Sequence, residues 1–218
     1  MKTRKYIYWL LALLCYLPAF TQSPVKIQRL EAGEKTCLHE GWFARKTSEI
    51  GEDGNRLTGQ PFEATGWMKA KVPGTVLTTL LENKLYPAPE FGLNNQLIPD
   101  IFHVGRAFYT YWFACPFTME ALLPGQHAWL NFRGINYKAE IYLNGKRVNI
   151  VTHEGMFLRQ SYDITSYLKE NGTNVLAVLV FPPDHVGNPN GGQGGDGQIA
   201  RNCTMQYTPG WDWIQPVR

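Results

Sequence analysis

The side chains near the end of the sequence that could do chemistry are one carboxylate and two indoles. Asp212 stands between Trp211 and Trp213, directly after Pro209-Gly210. A carboxylate can accept hydrogen bonds from two donors at once, and an indole offers a flat apolar wall. Taken alone, these residues favour an Asp that caps a turn between two packed indoles over an Asp that contacts a ligand.

No metal, cofactor or nucleophile motif accompanies these residues. The chain has five His and four Cys, but none of them has the spacing of a zinc site. The sequence contains neither a Gly-x-Ser-x-Gly elbow nor a phosphate-binding loop. Asp and Asn residues of segment 182–198 could gather around calcium, but their spacing is not that of an EF-hand loop. We therefore expect no cofactor.

Residues 1–23 predict a secretory signal peptide. Lys2, Arg4 and Lys5 precede an apolar run that ends at Tyr16 and is too short to cross a bilayer as a mature helix. Polar residues then follow, as expected near a cleavage site. The sequence thus predicts an exported protein, periplasmic or extracellular, with no membrane span.

Removal of this leader leaves the chain without net charge. The full sequence has 21 Lys and Arg against 18 Asp and Glu, and three of the basic residues lie in the leader, which leaves 18 against 18. No basic stripe remains to attract phosphates, so nucleic acid is not an expected partner.

Three cysteines also remain, Cys37, Cys115 and Cys203. Export would permit one disulfide between two of them, but the sequence does not say which two. Three buried, inert thiols are the favoured interpretation.

The stretch Trp129–Ile150 predicts a β-hairpin with one buried face. Its large apolar residues fall mostly on alternate positions: Leu130, Phe132, Tyr137, Ala139, Ile141 and Leu143. Alternation with a period of two places them on one face of an extended chain. Asn144-Gly145 suits the positive φ angles of a type I′ turn, and Lys146–Ile150 would be the return strand. Gly134 predicts a bulge or corner in a single curved antiparallel sheet.

Other segments extend this pattern to a whole domain. Phe108–Phe117 and Val175–Phe181 predict strands buried on both faces, and core packing is favoured over a sugar-stacking platform for the aromatic residues. Thr75–Asn83 predicts the one short helix, with Thr75 as its N-cap. We expect residues 24–218 to form an all-β domain, an antiparallel jelly-roll β-sandwich.

Five segments carry a resemblance to a known family. They are Trp67–Leu81 (WMKAKVPGTVLTTLL), Phe132–Val148 (FRGINYKAEIYLNGKRV), Gly155–Leu168 (GMFLRQSYDITSYL), Asn174–Pro183 (NVLAVLVFPP) and Gly210–Trp213 (GWDW). In this order they resemble the N-terminal sugar-binding domain of glycoside hydrolase family 2, in the branch of the β-mannosidases and exo-β-glucosaminidases. The resemblance covers roughly residues 40 to 218 and implies a galactose-binding-domain-like fold.

The same resemblance implies that the catalytic machinery lies elsewhere. In such enzymes the jelly roll is followed by an immunoglobulin-like domain and a (β/α)₈ barrel, which carries both catalytic glutamates of a retaining mechanism. Such a barrel needs about 250 residues. Retaining hydrolysis needs two carboxyl groups about 5 Å apart, and no motif of this sequence pairs two acids. We expect no catalytic residue here, and a chain that is a truncated or separate piece of a larger enzyme.

By the resemblance, Asp212 contacts hydroxyls of the terminal sugar, and Trp211 or Trp213 lies against its ring. Arg201 is a weaker candidate for the same pocket, and the run Gly191–Gly195 leans slightly towards the glucosaminidases. The implied function is an accessory domain that completes the non-reducing-end pocket of an exported, exo-acting β-glycosidase. Its partners would be a β-linked oligosaccharide and the immunoglobulin-like and barrel domains of the same enzyme.

Two other functions remain open at this point. A jelly roll can be a free-standing carbohydrate-binding module, which predicts saturable binding of an oligosaccharide by the isolated domain. It can also be a purely structural domain, which predicts that substitution of Asp212 has no effect.

Overall fold

Ten strands form two sheets in the part of the chain that the structure describes. The structure is a computed structural model, and it describes residue 25, residues 27–99 and residues 101–182. The strands are β1 (Gln28–Leu30), β2 (Trp42–Lys46), β3 (Met68–Ala70), β4 (Tyr111–Met119), β5 (Trp129–Phe132), β6 (Lys138–Leu143), β7 (Lys146–Arg147), β8 (His153–Glu154), β9 (Gln160–Asp163) and β10 (Asn174–Phe181).

The larger sheet has the order β3-β2-β4-β10-β6-β7, and the smaller sheet pairs β5 with β9. β8 pairs with the start of β6, and all the pairs are antiparallel except that of β1 with the end of β4. Side chains from both sheets meet in one core, which contains Phe113, Ile141 and Val178 from the larger sheet and Phe132 and Tyr162 from the smaller. The predicted antiparallel jelly-roll β-sandwich is confirmed.

Helices are short and lie outside the sheets. They are α1 (Thr47–Ile50), α2 (Gly54–Gly59), α3 (Val76–Glu82) and α4 (Ile101–Val104), with 3₁₀ turns at Asn94–Leu97, Arg106–Tyr109 and Thr165–Tyr167. The sequence predicts α3 and its cap correctly, since the Thr75 hydroxyl accepts from the Thr78 amide at 3.0 Å. The prediction of one helix is wrong in number, because the other α-helices of the described residues have at most six residues and no apolar period.

The central strands β4 and β10 are covered on both faces, as predicted. Tyr111 and Phe113 point into the core between the sheets, whereas Trp112 points to the opposite face. There α1 and α2 cover it, and the Trp112 indole donates to the Gly51 carbonyl at 2.8 Å. β4 begins at Tyr111 rather than Phe108, because Arg106–Tyr109 form a 3₁₀ turn. The aromatic residues of this strand belong to the core.

The prediction of a curved sheet through Gly134 is wrong, but the predicted corner at Gly134 is present. β5 belongs to the smaller sheet and β6 to the larger one, so the chain changes sheets between Phe132 and Lys138. A Cβ atom on Gly134 would lie 2.5 Å from the Met156 carbonyl oxygen, so the crossing requires glycine there. The alternation of apolar and polar residues could not reveal this change of sheet, because both sheets present their apolar side to the same core. The return strand ends at Arg147, and Ile150 is exposed.

The hairpin turn is as predicted, and it closes one end of the sandwich. Asn144 and Gly145 have φ angles of 50° and 83°. The Asn144 side chain donates to the Tyr167 carbonyl at 2.8 Å and accepts from the Val175 amide at 2.9 Å. It also donates to the buried Asn174 side chain at 2.7 Å. We call this region, around Asn144 and the start of β10, the hairpin end.

The cysteines correct one further expectation. Cys115 is buried in the core, where burial raises the pKa of its thiol to about 12, whereas Cys37 is exposed. The expectation of three buried thiols is therefore wrong for Cys37; Cys203 lies outside the described residues. In the described ranges, none of the helices combines the length and the apolar character that spanning a bilayer requires.

Candidate functional site

The residues predicted to contact a sugar lie outside the described part of the chain. They are Arg201, Trp211, Asp212 and Trp213, and Gly191–Gly195 and the predicted signal peptide 1–23 lie outside it as well. The structure does show the strand that leads to the candidate sugar contacts, because β10 ends at Phe181 and is followed by Pro182. We call the region around these two residues the exit end.

Strand order places the exit end opposite the hairpin end. β10 runs antiparallel to its neighbours, so Val180 pairs with Tyr111 at the start of β4 and Phe181 pairs with Lys138 at the start of β6. At the other end of β10, Leu176 pairs with Leu143, directly before the hairpin turn. Residues that precede β4 and β6 therefore surround the point where the chain leaves the sheet.

Two loops hold the chain at that point. The Arg106 guanidinium donates to the Pro182 carbonyl at 3.1 Å, and the Tyr137 amide donates to the Phe181 carbonyl at 3.3 Å. Tyr137 in turn accepts from the Gly155 amide at 3.0 Å. The last described residues are thus fixed by the loop before β4 on one side and by the segments on either side of β6 on the other.

Cationic side chains lie beside this exit and contact neighbouring groups of the domain. Lys46 Nζ lies 3.6 Å from the centroid of the Phe108 ring, a cation–π contact. Lys138 Nζ lies 3.7 Å from the Glu154 carboxylate. These contacts brace the loops around the exit, and we assign them no role in chemistry.

Two acids on the sheets have structural roles. Glu140 accepts from the Tyr142 hydroxyl at 2.7 Å and lies 3.3 Å from the Arg147 guanidinium. Burial, followed by the bond to Glu140, raises the pKa of Tyr142 to about 12. This carboxylate links β6 to β7 across the hairpin.

Asp163 caps the 3₁₀ turn that follows β9. One of its oxygens accepts from the Thr165 hydroxyl at 2.6 Å and from the Thr165 amide at 2.9 Å, and the other lies 2.7 Å from His127 Nδ1. The hydrogen bonds from Thr165, followed by the one from His127, lower the pKa of Asp163 to about 2. Both acids are held by neighbours of the same domain.

One groove in the described part of the chain lies away from the exit end. Its volume is about 410 Å³, and its lining includes Gln28, Arg29, Cys37, His39 and Glu40. β1 pairs with the end of β4, so this groove lies towards the hairpin end. Within the described ranges, no three His, Cys, Asp or Glu side chains are grouped as metal ligands.

Sequence reasoning missed an apolar surface at the exit end. Five large apolar side chains on the loops that lead towards the exit are exposed: Phe91, Leu93, Leu97, Phe157 and Leu158. We call them the exit surface. Exposed apolar side chains also occur elsewhere, among them Leu123, Ile150 and Val151. The only signal in the sequence was the presence of apolar residues in a segment rich in Pro, Gly and Asn, which does not tell an exposed leucine from a buried one.

Comparison with known families gives a match over most of the chain. A family model described as the glycosyl hydrolase 2 galactose-binding domain-like domain matches residues 42–218. This match includes the strands β2 to β10 and the candidate sugar contacts beyond them.

Two curated proteins illustrate the branch. A mannosylglycoprotein endo-β-mannosidase of Lilium longiflorum is 50% identical over 189 residues, which is 84% of this chain and 20% of that protein. An exo-β-D-glucosaminidase of Streptomyces avermitilis is 28% identical over 188 residues, which is 85% of this chain and 18% of that protein. The chain thus spans about one fifth of the length of these relatives.

Solved structures support the fold. The Amycolatopsis orientalis exo-chitosanase superposes with a TM-score of 0.60 at 24% identity, over 74% of this chain and 19% of that one. A β-D-mannosidase from Dictyoglomus thermophilum gives a TM-score of 0.54 at 26% identity, over 80% of this chain and 20% of that one.

Proposed function

Because the chain belongs to the glycosyl hydrolase 2 family, as its galactose-binding-like domain, we propose that it is the N-terminal domain of a retaining β-glycosidase that acts on β-mannosides. The observation that carries the proposal is 50% identity to an endo-β-mannosidase over 84% of the chain. In this proposal the catalytic glutamates belong to a barrel that follows this domain, and the domain completes the sugar pocket.

The relatives favour a mannoside over a glucosaminide. Identity is 50% to the endo-β-mannosidase but 28% to the exo-β-glucosaminidase, over nearly the same length. The slight lean of Gly191–Gly195 towards the glucosaminidases is outweighed by this difference. The enzyme could act in an exo or an endo mode. The resemblance of the sequence motifs favours exo action, whereas the relative with 50% identity is an endo-β-mannosidase.

Substrate assays on the enzyme polypeptide that contains this chain test the proposal. We expect a higher kcat/KM for an aryl β-mannoside or a mannosylated glycopeptide than for an aryl β-glucosaminide. Release of single mannose residues would establish exo action, and release of a larger glycan would establish endo action. Preference for the glucosaminide would refute the assigned substrate class.

We assign Asp212 the role of binding hydroxyls of the sugar next to the scissile bond, with Trp211 or Trp213 against the sugar ring and Arg201 nearby. The chemical support is that a carboxylate can accept from two neighbouring hydroxyls, and charge-assisted hydrogen bonds are the stronger kind. Substitution of Asp212 should therefore lower kcat/KM.

Export is a separate part of the proposal, and it is supported by the basic and apolar pattern of residues 1–23. Expression with these residues should deliver the protein to the periplasm or the medium, with a new N-terminus near residue 24. Retention in the cytosol with Met1 intact would contradict it.

A free-standing carbohydrate-binding module is the rival function. It predicts saturable heat when the 218-residue chain is titrated with a mannoside or a manno-oligosaccharide. We expect no saturation, because part of a pocket makes too few contacts to offset the entropy lost on association. Saturable binding by the chain alone would favour the module.

A further inference from the structure

The outward side of the smaller sheet carries an exposed indole. Leu130 and Phe132 of β5 pack against the core, so alternation along the strand points Trp129 and Asn131 towards solvent. Trp129 is 57% exposed, although tryptophan is on average among the more deeply buried residue types. Packing within the domain therefore does not account for most of the surface of this indole.

Polar side chains capable of hydrogen bonding lie beside the indole. Trp129 lies opposite Asp163 of β9, and Asn131 lies opposite Ser161. Directly opposite residues of an antiparallel pair share one side of the sheet, with Cβ atoms about 4.5–5.5 Å apart. An indole, an amide, a hydroxyl and a carboxylate are thus presented together. We call these four residues the Trp129 face.

Hydrogen bonds within the domain hold the polar groups of this face in place. The Ser161 hydroxyl donates to the Asn131 side-chain oxygen at 2.7 Å, and the Asn131 amide group donates to the Trp129 carbonyl at 3.4 Å. Asp163 is fixed by the 3₁₀ turn that it caps. An oxygen that accepts one hydrogen bond keeps a further lone pair, and groups that are already ordered lose less entropy when a ligand binds.

From this geometry we propose that the Trp129 face binds a β-linked saccharide, with one sugar ring stacked on the indole and its hydroxyls bonded to the polar groups beside it. A pyranose ring presents C–H groups on its faces, which suit a flat apolar wall. The hydroxyls at its rim both donate and accept hydrogen bonds, which suits an amide, a hydroxyl and a carboxylate. This site goes beyond the role assigned to Asp212.

Other classes of partner fit the Trp129 face less well. Its apolar part is a single indole, which buries about 150–250 Å², whereas a stable protein interface buries about 800 Å² on each partner. The Asp163 carboxyl, whose pKa is lowered to about 2, is ionised at neutral pH and repels the phosphates of a nucleic acid. A neutral saccharide needs neither a large apolar area nor a positive surface.

The affinity of such a site should be low. One stacked ring makes few contacts to offset the entropy lost on association, so we expect a dissociation constant of about 1–10 mM. A dedicated binding module of micromolar affinity saturates at far lower ligand concentrations than this face requires. The two kinds of binding are therefore distinguished by the concentration at which they saturate.

Heteronuclear NMR of the 218-residue chain, read at the indole N–H resonances, tests the proposal. Mannotetraose and chitotetraose, both β-linked, are titrated to about ten times the expected dissociation constant. We expect a saturable shift of the Trp129 resonance with at least one of them, and no shift of Trp112, whose side chain is fully buried. Mannitol has hydroxyls but no ring, so this control ligand should cause no saturable shift.

Matched variants show whether the indole carries the binding. Trp129→Ala should raise the dissociation constant at least about tenfold, read at the backbone resonances of β5 and β9. Phe157→Ala removes another exposed aromatic ring and should leave the dissociation constant unchanged. Ser161→Ala should raise it about two- to tenfold, because one hydrogen-bonding hydroxyl is lost. The amide spectrum of each variant shows that the fold is retained.

Three results would overturn the proposal. The first is the absence of a saturable Trp129 shift with either saccharide, and the second is an equal shift with mannitol. The third is an affinity that survives Trp129→Ala but is lost in Asp212→Ala, which would assign the binding to Asp212. A saturable Trp129 shift that persists in Asp212→Ala would support the Trp129 face whichever substrate the enzyme prefers.

Discussion

The two ends of the sandwich differ in their polar and apolar groups: polar side chains are hydrogen-bonded at one end, and apolar side chains are exposed at the other. At the hairpin end, Asn144 and Asn174 bond to each other and to backbone groups of Tyr167, Lys169 and Val175. At the exit end, the backbone is fixed by Arg106 and Tyr137, but large apolar side chains such as Phe91 and Phe157 remain in solvent.

The hydrogen bonds at the hairpin end stabilise the domain, whereas the exposed apolar side chains at the exit end are accessible to a partner. The hairpin end contains groups that satisfy one another, so changes there should act on folding. The exit end contains exposed groups with little to lose on unfolding, so changes there should have little effect on folding. Substitutions at the two ends of the same chain can therefore test the comparison.

The largest loss of stability is expected from Asn144→Ala. It removes the partners of the Tyr167 carbonyl and the Val175 amide, and it places alanine at a φ of 50°. We expect the free energy of unfolding in urea to fall by about 2–4 kcal/mol. Asn144→Gly relieves the backbone angle alone and should recover only part of the loss. If the free energies of unfolding of both variants lay within about 0.5 kcal/mol of that of the native chain, the hairpin end would not be a stabilising region.

Gly54→Ala should cost somewhat less. A Cβ atom at Gly54 would lie 2.4 Å from the Tyr142 ring, which is buried and bonded to Glu140. Overpacking of this kind costs about 1–3 kcal/mol. Gly59→Ala in the same helix is the control, because its Cβ would have 3.5 Å to the nearest atom. If both alanines had the same effect in urea unfolding, the contact with Tyr142 would not be the cause.

Leu97→Ser should change the stability of the 218-residue chain by no more than about 0.5 kcal/mol, because the side chain is largely exposed. The measurement is again urea unfolding, beside the two hairpin-end variants. A loss as large as that of Gly54→Ala would mean that Leu97 packs within the domain, and the contrast between the ends would fail.

The smallest effect is expected from acid titration of Asp163. Its pKa falls from 3.8 in the unfolded chain to about 2 in the fold, so its contribution to stability is present above pH 3.8 and is lost as the pH falls towards 2. The difference in stability between the native chain and Asp163→Asn should be constant from pH 7 to about 5, should shrink as the pH falls below 3.8 and should be mostly lost at pH 2. A difference that persists unchanged at pH 2 would contradict this.

Local sequence patterns predicted the strands well and the connections between them less well. Alternating or continuous apolar residues found β4, β6 and β10, and Asn144-Gly145 found the turn, because these signals depend on neighbouring residues only. Whether a strand joins one sheet or the other depends on pairing with distant segments, so the change of sheet after Phe132 was missed. The helix α2, which Asp53 caps, was also missed, because a helix of six residues leaves no periodic signal.

The candidate site shows the same limit more strongly. Without the family resemblance, Asp212 between two indoles favours a turn cap, since a single carboxylate has no spacing that marks it as a sugar ligand. The exit surface was invisible for a different reason: composition does not distinguish Leu97, which is exposed, from Ile98, which is buried. Side-chain exposure in loops is set by tertiary contacts.

The most direct test of the account is kcat/KM of the enzyme polypeptide with Asp212 replaced. Asp212→Ala should lower kcat/KM for the β-mannoside by about 10- to 150-fold, which corresponds to about 1.5–3 kcal/mol for a hydrogen bond to a charged group. Asp212→Asn, which keeps one acceptor oxygen, should lose less, and the thermal midpoint of both variants should match that of the native enzyme. An unchanged kcat/KM in Asp212→Ala would contradict the account and leave the domain a structural one.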